Sequence, residues 1–206
     1  MHALIICNGF PPPEQLLLAE LKQADLVIGA DGGGNILLEQ DIIPDFVIGD
    51  MDSFRRPDTI SFELIHDPDQ DTNDLHKALG LALEQEVTTC TVLGAFGIRM
   101  DHSLTNLSVL KQFDTSFDSL VFKDKDQQCI MVTSSYRGEA RKGTTVSLFP
   151  LSGRAEGITT KGLKYPLTDE YLVTGERVST LNETVEPSFS IKVGDGDLVV
   201  FIGRGE

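Results

Sequence analysis

Two aspartates that follow a short apolar segment are the first residues whose types and spacing suggest chemistry. Residues 45–49 form a predicted buried strand that ends in glycine, and Asp50 and Asp52 come just after it. Ligands of open α/β sheets bind outside the carboxyl ends of the strands, where two carboxylates can share one hard cation such as Mg²⁺. A solvated acidic turn is the alternative that this stretch alone leaves open.

A run of three glycines follows the preceding predicted strand, residues 26–29. Asp31 and the glycines 32–34 come next, and a helix is predicted over residues 35–40. Backbone N–H groups at the start of a helix favour phosphate or ribose. The run has neither the lysine of a Walker motif nor the spacing of a dinucleotide fingerprint. A plain tight turn therefore remains the alternative to a phosphate site.

A second acidic stretch, residues 67–74, opens a helix whose apolar residues recur with the helical period. Thr72 is the candidate N-cap, and Asp74 falls in the first turn. Capping explains one or two of these acids. Asp69, Asp71 and Asp74 together would repel one another unless a cation compensates them. The pattern favours metal or substrate ligation over capping and surface charge.

The third stretch with chemical potential follows a predicted strand at residues 89–93. Arg99 is a candidate phosphate clamp, because its planar guanidinium group matches two phosphate oxygens. His102 could transfer a proton or position a neighbouring group, and a structural role is the usual one for a lone histidine. Asp101 or Ser103 could cap the helix that follows.

Strands and helices alternate through the first half of the chain, which predicts a doubly wound α/β domain with a mostly parallel sheet. The apolar side of the last helix is predicted to carry Leu104, Leu107 and Leu110. The predicted strands cover residues 3–7, 26–29, 45–49, 89–93 and 119–122, and the predicted helices cover residues 14–24, 35–40, 104–113 and the segment from Asp74 onward.

From about residue 128 the pattern changes to short strands separated by turn signals. No helical period of useful length follows, so an antiparallel β-sandwich or barrel is expected. The predicted domains are residues 1–125 and 126–206. The predicted strands of the second domain cover residues 129–132, 144–149, 171–173, 189–193 and 198–202.

The composition limits the class of protein. The 206 residues carry a formal net charge of −15 and no run of lysine or arginine, which argues against nucleic acid as a partner. Cys7, Cys90 and Cys129 are odd in number and lie in or beside apolar runs, so buried reduced thiols are expected. No apolar run reaches 18 residues, which argues against a membrane span and favours the cytosol.

Six stretches, in order, resemble the thiamine pyrophosphokinase family over nearly the whole chain. They are residues 30–33, 49–53, 69–74, 94–102 with Asn106, 147–150 and 160–167. The resemblance implies an N-terminal α/β catalytic domain that binds ATP and Mg²⁺, and a C-terminal β domain that binds thiamine. It implies a homodimer with active sites at the subunit interface. It also implies transfer of a pyrophosphoryl group from ATP to the thiamine hydroxyl, giving thiamine diphosphate and AMP.

The resemblance also suggests roles for individual residues. Mg²⁺ is assigned to Asp50, Asp52 and Asp71, with Asp74 binding directly or through water. Asp71, Asp50 and Arg99 are the candidate catalytic residues, and Asp71 is the candidate proton acceptor. The nucleotide is assigned to Asp31, Gly32, Gly33, Arg99, Asp101, His102 and Asn106, and thiamine to Thr160, Leu181 and Asn182.

The chain departs from the family pattern near the second substrate. Leu181 stands where the family usually has serine, Ala95 and Phe96 interrupt a usual glycine pair, and the chain has no tryptophan to stack on an aromatic substrate. A pyrophosphokinase for a pterin alcohol, a metal-dependent phosphohydrolase and a non-catalytic nucleotide-binding module are therefore the alternatives. Formation of AMP that depends on an added acceptor would separate them.

Overall fold

The computed structural model describes residues 1–204. The chain forms two compact units, Met1–Lys125 and the part from Asp126 onward. The elements of the first unit are β1 (His2–Ile6), α1 (Glu14–Leu21), β2 (Leu26–Ala30), α2 (Gly33–Leu38), β3 (Phe46–Gly49), β4 (Glu63–His66), α3 (Asp74–Glu84), β5 (Thr89–Leu93), α4 (Met100–Phe113), a 3₁₀ turn (Asp114–Ser116) and β6 (Ser119–Lys123).

The sheet of the first unit is entirely parallel, in the order β6-β5-β1-β2-β3-β4. The central strand β1 is apolar along its length, as expected for a strand buried on both faces. Its Leu4 and Ile6 join a cluster with residues of α1 and α2. Ala3 and Ile5 are also fully buried and point to the opposite face. The predicted doubly wound α/β class is confirmed.

This strand order places a topological switch between β1 and β5. The chain moves outward from β1 through β2 and β3 to β4, and then returns to the other side of β1 as β5. The segments after neighbouring strands diverge at such a point and leave a crevice outside their carboxyl ends. Asn8 and Gly9 follow β1 there, and Gly94 follows β5.

The second unit contains strands β7 to β14 and no helix within its described residues. Four strands pair in the order β12-β9-β14-β7 and four in the order β11-β10-β13-β8, all antiparallel. The strands are β7 (Gln127–Val132), β8 (Ser135–Glu139), β9 (Thr145–Phe149), β10 (Arg154–Lys161), β11 (Glu170–Val173), β12 (Ser179–Glu183), β13 (Ser188–Lys192) and β14 (Leu198–Gly203). The predicted antiparallel β architecture is confirmed.

Several local predictions were wrong. Helix α3 is capped by Asn73, whose side chain accepts a hydrogen bond from the backbone N–H of His76 at 2.9 Å. The predicted cap, Thr72, instead donates its hydroxyl to Asp69 at 2.7 Å. Three strands of the second unit, β8, β10 and β12, were not predicted.

Helix α4 also differs from the prediction at its start. It begins at Met100, and its N-cap residue Arg99 makes no side-chain capping bond to the described residues. Neither Asp101 nor Ser103 is therefore the cap. Leu104 is 59% exposed, so it does not lie on the apolar side as predicted. The buried stripe of the helix begins one turn later.

Two further observations concern the cysteines and the helices. All three cysteines are buried and reduced, as predicted. Within residues 1–204, no helix is long and apolar enough to cross a membrane.

Candidate active site

A pocket of about 560 Å³ opens at the carboxyl ends of the parallel strands of the first unit. It extends from the switch point to the ends of β2 and β3, where the acidic residues lie, and then to the start of α3. The residues that line it are Cys7, Asn8, Gly9, Ala30, Asp31, Asp50, Asp52, Ser53, Asp69, Gln70, Thr72, Asn73, Asp74, Leu75, Lys77, Gly94, Ala95, Gly97, Ile98, Arg99, His102 and Asn106.

Three carboxylates meet at one end of this pocket. Asp31 follows β2, and Asp50 and Asp52 follow β3; one oxygen from each lies within 4.8 Å of the others. The two strands are neighbours, and Ala30 pairs with Ile48, so their ends are level. This spacing suits oxygen ligation of a single divalent cation.

Asp31 gives the strongest indication that a cation belongs here. The residue is 2% exposed, and its Oδ1 has no hydrogen-bond partner in the described part of the chain. Its Oδ2 accepts a hydrogen bond from the backbone N–H of Ser53 at 3.2 Å. A buried carboxylate oxygen without a partner is costly, and an ion bound at that position would satisfy it.

Gly49 allows the acidic side chains to come this close. A Cβ atom on this residue would lie 2.7 Å from Cβ of Asp31 and 2.9 Å from Oδ1 of Asp74. Both distances are shorter than van der Waals contact, so any larger residue would displace one of the two acids. The glycine that ends β3 therefore has a packing role in the site.

Burial and mutual repulsion raise the pKa of two of these acids, whereas hydrogen bonding lowers the pKa of a third. Burial, and then the neighbouring Asp31 and Asp50, raise the pKa of Asp74 to about 6. Burial also raises the pKa of Asp31. A hydrogen bond from the side chain of Gln70 lowers the pKa of Asp50. The pocket therefore concentrates negative charge that a bound cation would stabilise.

The four residues assigned to metal from the sequence do not all lie together. Asp50, Asp52 and Asp74 line the pocket, and Asp31, which was assigned to the nucleotide, completes the three-carboxylate group. Asp71 is exposed and is not among the described residues that line the pocket. Its metal and proton-accepting roles stay predictions.

The candidate phosphate clamp lines the part of the pocket that follows β5. Arg99 lines the pocket and is bonded through its guanidinium group to both carboxylate oxygens of Asp101. This ion pair lowers the pKa of Asp101. His102 lines the same wall, and its backbone N–H donates to Asp101 at 3.0 Å. The pair is exposed to solvent, so Arg99 can exchange this partner for a phosphate.

The other residues assigned to the nucleotide have structural contacts. Asn106 is buried; its Nδ2 donates to the carbonyl of Ala95 at 2.7 Å, and its Oδ1 accepts from Asn73 at 2.8 Å. It thus joins the loop after β5 to the start of α3. Gly32 and Gly33 lie beneath the pocket, where a Cβ on Gly33 would lie 1.8 Å from the carbonyl oxygen of Ile6.

Several lining residues were not assigned from the sequence. The sequence pattern marks Asp69 as a possible ligand within the acidic stretch, whereas its neighbours Gln70 and Asn73 give no such signal. Lys77 also lines the pocket, and the helical period gives no signal for it, because position 77 falls opposite Leu75 and Leu79. Asn8 lines the pocket where it follows β1.

A smaller pocket of about 360 Å³ lies in the second unit. Of the three residues assigned to thiamine, only Asn182 lines it, together with Tyr165 and Glu170. The amide of Asn182 is bonded to the backbone of Tyr165 through both its oxygen and its nitrogen. Asn182 therefore holds the pocket wall in place.

The other two residues assigned to thiamine lie elsewhere in the unit. Thr160 is buried, and its hydroxyl accepts a hydrogen bond from the backbone N–H of Leu167 at 2.9 Å. Leu181 is 73% exposed and has a φ angle of 55°, a conformation that a leucine rarely adopts. Both lie outside the described lining of the smaller pocket.

Comparison with known proteins gives matches for both units. The family model described as the catalytic domain of thiamin pyrophosphokinase matches residues 17–122. The model described as the vitamin B1 binding domain of thiamin pyrophosphokinase matches residues 129–197. The two models follow each other in the order expected from the sequence motifs.

Curated relatives and solved structures agree with these models. Thiamine pyrophosphokinase 2 of Arabidopsis thaliana is 29% identical over 231 residues, covering 96% of this chain and 84% of that protein. The enzyme of Bacillus subtilis is 27% identical over 183 residues, covering 85% of this chain and 86% of its own length.

The crystal structure of thiamine pyrophosphokinase from Bacillus subtilis matches with a TM-score of 0.85 and 25% identity over the full length of both chains. The thiamin pyrophosphokinase structure from Geobacillus thermodenitrificans has the same fold, with a TM-score of 0.86 at 23% identity over 100% of this chain and 99% of that one. Because the catalytic-domain model alone spans more than half of the chain, the protein belongs to the thiamin pyrophosphokinase family.

Proposed function

We propose that the protein transfers the pyrophosphoryl group of ATP to the hydroxyl of thiamine, giving thiamine diphosphate and AMP. The carrying observation is the acidic pocket at the ends of β2 and β3, with the buried and unpartnered Oδ1 of Asp31. This pocket lies within the region that matches the catalytic-domain model. The named activities of the relatives support the same reaction.

The metal that this donor set fits is Mg²⁺, held by Asp31, Asp50 and Asp52. Carboxylate oxygens are its preferred ligands, and the orphaned oxygen of Asp31 supplies a reason for an ion at this position. When bound, the ion would neutralise charge on the polyphosphate and on the group in transfer. Asp31 and Asp50 lie close enough to Asp74 to raise the pKa of Asp74. We therefore assign Asp74 to the same metal site, directly or through water.

The chain's own residues have three tasks in this reaction. Arg99 exchanges Asp101 for phosphate oxygens and fixes the nucleotide beside the segment that follows β5. The buried Asn106 keeps the loop after β5 and the start of α3 in register. A carboxylate must accept the hydroxyl proton of thiamine, and Asp74 is better placed for this than Asp71, because Asp74 lines the pocket and Asp71 is not among its described lining residues.

We place thiamine at the smaller pocket of the second unit. Tyr165 is 64% exposed at its edge and offers an aromatic face to the pyrimidine or thiazolium ring, in a chain that has no tryptophan. Glu170 supplies a carboxylate in the same lining; it is ion-paired with Arg177, which also lines the pocket, and would exchange this partner for the thiazolium cation. The exposed Leu181 takes no part in this arrangement.

The functional test is incubation of the purified protein with ATP, Mg²⁺ and thiamine, with chromatography of the nucleotides and the thiamine species. We expect AMP and thiamine diphosphate in equal amounts. If AMP forms only when another acceptor is added, such as a pterin alcohol, that acceptor would replace thiamine as the proposed substrate. AMP or ADP that forms without acceptor would indicate a phosphohydrolase, and no turnover would indicate a nucleotide-binding module.

Replacing Tyr165 tests the thiamine pocket. Tyr165→Ala should raise the KM for thiamine about tenfold, since a lost aromatic contact costs about 1 kcal/mol or more, while the KM for ATP stays near its original value. Tyr165→Phe keeps the ring and is the matched control, for which we expect near wild-type kinetics. Steady-state measurements with each substrate varied would show this. An unchanged KM for thiamine in Tyr165→Ala would exclude this pocket.

We further propose that the protein is a cytosolic homodimer whose active sites lie at the subunit interface. The family resemblance and the location of the two pockets in separate units support this arrangement. Each transfer needs one nucleotide site and one thiamine site, and a second copy of the chain could supply either.

A further inference from the structure

Lys77 is a buried cation that the proposed reaction does not use. It lies on the side of α3 opposite Leu75 and Leu79, and its side chain is 3% exposed. Lysine is almost never buried to this extent unless its charge is compensated. The surroundings of its ammonium group therefore indicate its role.

The partners of this ammonium group are mainly backbone atoms of one loop. Nζ donates to the carbonyl of Asp67 at 2.8 Å and to the carbonyl of Asp69 at 2.7 Å. It also lies 3.9 Å from Oδ1 of Asp74, one helical turn back along α3. We call residues 67–73, which join β4 to α3, the acidic loop. Lys77 binds the backbone of this loop from the helix side.

On its other side, the acidic loop is bonded to the end of β3. The backbone N–H of Asp67 donates to the carbonyl of Gly49 at 2.8 Å. The side chain of Gln70 donates through Nε2 to Oδ2 of Asp50 at 3.0 Å. The loop is therefore held between the buried lysine and one of the three clustered carboxylates.

We propose that Lys77 is a positioning residue: it holds the acidic loop against β3 so that Gln70 orients the Asp50 carboxylate toward the shared cation. The inference rests on the proposed function, since it concerns the same metal site. Two of the three ammonium protons of Lys77 are bound to loop carbonyls, and its side chain is closed to solvent. Although Lys77 borders the pocket, its ammonium group faces the two loop carbonyls and Asp74, so we assign its effect to the position of the loop and not to contact with the substrate.

This role has a sign that separates it from a simple charge effect. If Lys77 acted only as a positive charge beside the acids, its removal would strengthen the binding of a divalent cation, because repulsion would disappear. If it positions the loop, its removal weakens cation binding although a positive charge has been lost. The direction of the change in cation affinity therefore tests the proposal.

The experiment measures Mn²⁺ binding to the full chain by the electron paramagnetic resonance signal of free Mn²⁺, without substrates. Lys77→Met keeps the length and apolar stem of the side chain. We expect it to weaken Mn²⁺ binding about tenfold or more, the usual range for residues that orient metal ligands. Unchanged or tighter binding would overturn the proposal.

Gln70→Leu provides a second variant at an exposed position, so folding is not at risk. It breaks the contact between the acidic loop and Asp50, and we expect Mn²⁺ binding to weaken by about threefold to tenfold. Wild-type affinity in Gln70→Leu would overturn the proposal even if Lys77→Met failed to fold.

Lys123→Met is the matched control. Lys123 is also largely buried in the first unit, where it donates to both oxygens of Glu20 at 2.8 and 2.9 Å, away from the pocket. Its loss should lower the melting temperature and leave Mn²⁺ binding unchanged. A loss of binding equal to that of Lys77→Met would show that destabilisation alone is responsible, and would overturn the proposal.

The test also separates this inference from the proposed reaction. If the wild-type protein makes no thiamine diphosphate but binds Mn²⁺ and loses that binding in Lys77→Met, the reaction is wrong and the positioning role stands. If the wild-type protein makes thiamine diphosphate and Lys77→Met binds Mn²⁺ normally, only the positioning role is wrong.

Discussion

Asp31→Asn should reduce pyrophosphoryl transfer at least about 1,000-fold, which corresponds to about 4 kcal/mol of barrier. The change keeps the shape of the side chain but removes the charge of the most buried carboxylate in the three-acid group. The buried Oδ1 that we assign to the cation becomes a neutral amide atom. Measurement of kcat at saturating ATP and thiamine over a range of Mg²⁺ concentrations would give the size of the loss.

The same substitution should not destabilise the fold. Burial raises the pKa of Asp31, so at pH 7 its ionised form is more costly in the folded protein than in the unfolded chain. A neutral side chain of equal size removes that cost, and we expect an equal or higher melting temperature without metal. Lost activity together with a lower melting temperature would indicate misfolding and would contradict the assignment.

A carboxylate outside the pocket provides the control. Burial also raises the pKa of Asp114, which follows α4 and lies outside the pocket lining among the described residues. Asp114→Asn should keep wild-type activity. Asp71→Asn then decides whether a further carboxylate takes part. A loss as large as that of Asp31→Asn would support the sequence-based role of Asp71, and unchanged turnover would discard it.

The acidic residues show what could be predicted from the sequence. Asp50 and Asp52 were identified because a strand, a glycine and two alternate acids are adjacent in the chain. Asp31 was also identified, but as a nucleotide contact. Its position beside Asp50 depends on the pairing of β2 with β3 and on the register of that pairing. Both are contacts between two segments that are separate in the sequence. Local spacing does not contain that information.

Errors at helix starts and in the second unit have related physical causes. Thr72 is a good capping residue, but its hydroxyl is used within the acidic loop, and Asn73 caps α3 instead. Strand β8 has one buried residue in five, and its partner β13 decides that it forms a strand. A competing contact decides each case: a hydrogen bond within the same loop for Thr72, and pairing with a strand distant in sequence for β8.

Lys77 illustrates a case in which the local pattern carries no signal. The helical period of α3 places position 77 opposite Leu75 and Leu79, on the side expected to face solvent. The burial of Lys77 and its acceptors, two backbone carbonyls of the acidic loop, follow only from how that loop packs against α3. The sequence therefore indicates neither that this lysine is buried nor which groups bind it.

Two impaired variants should restore each other's activity if the active site is shared between two copies of the chain. Asp31→Asn removes the metal site of the first unit, and Tyr165→Ala weakens the thiamine pocket of the second. In a heterodimer with shared sites, one site carries both changes and the other carries neither. At thiamine concentrations well below the wild-type KM, the heterodimer should have about half of wild-type activity.

The experiment requires co-expression of the two variants with different affinity tags, purification through both tags, and light scattering to measure the mass. The controls are dimers in which both copies carry the same substitution and differ only in their tags. Both controls should have about a tenth of wild-type activity or less at this thiamine concentration. A monomeric mass would reject the dimer. A heterodimer whose activity equals the mean of the two controls would place each complete site within one chain, since neither copy would then supply what the other lacks.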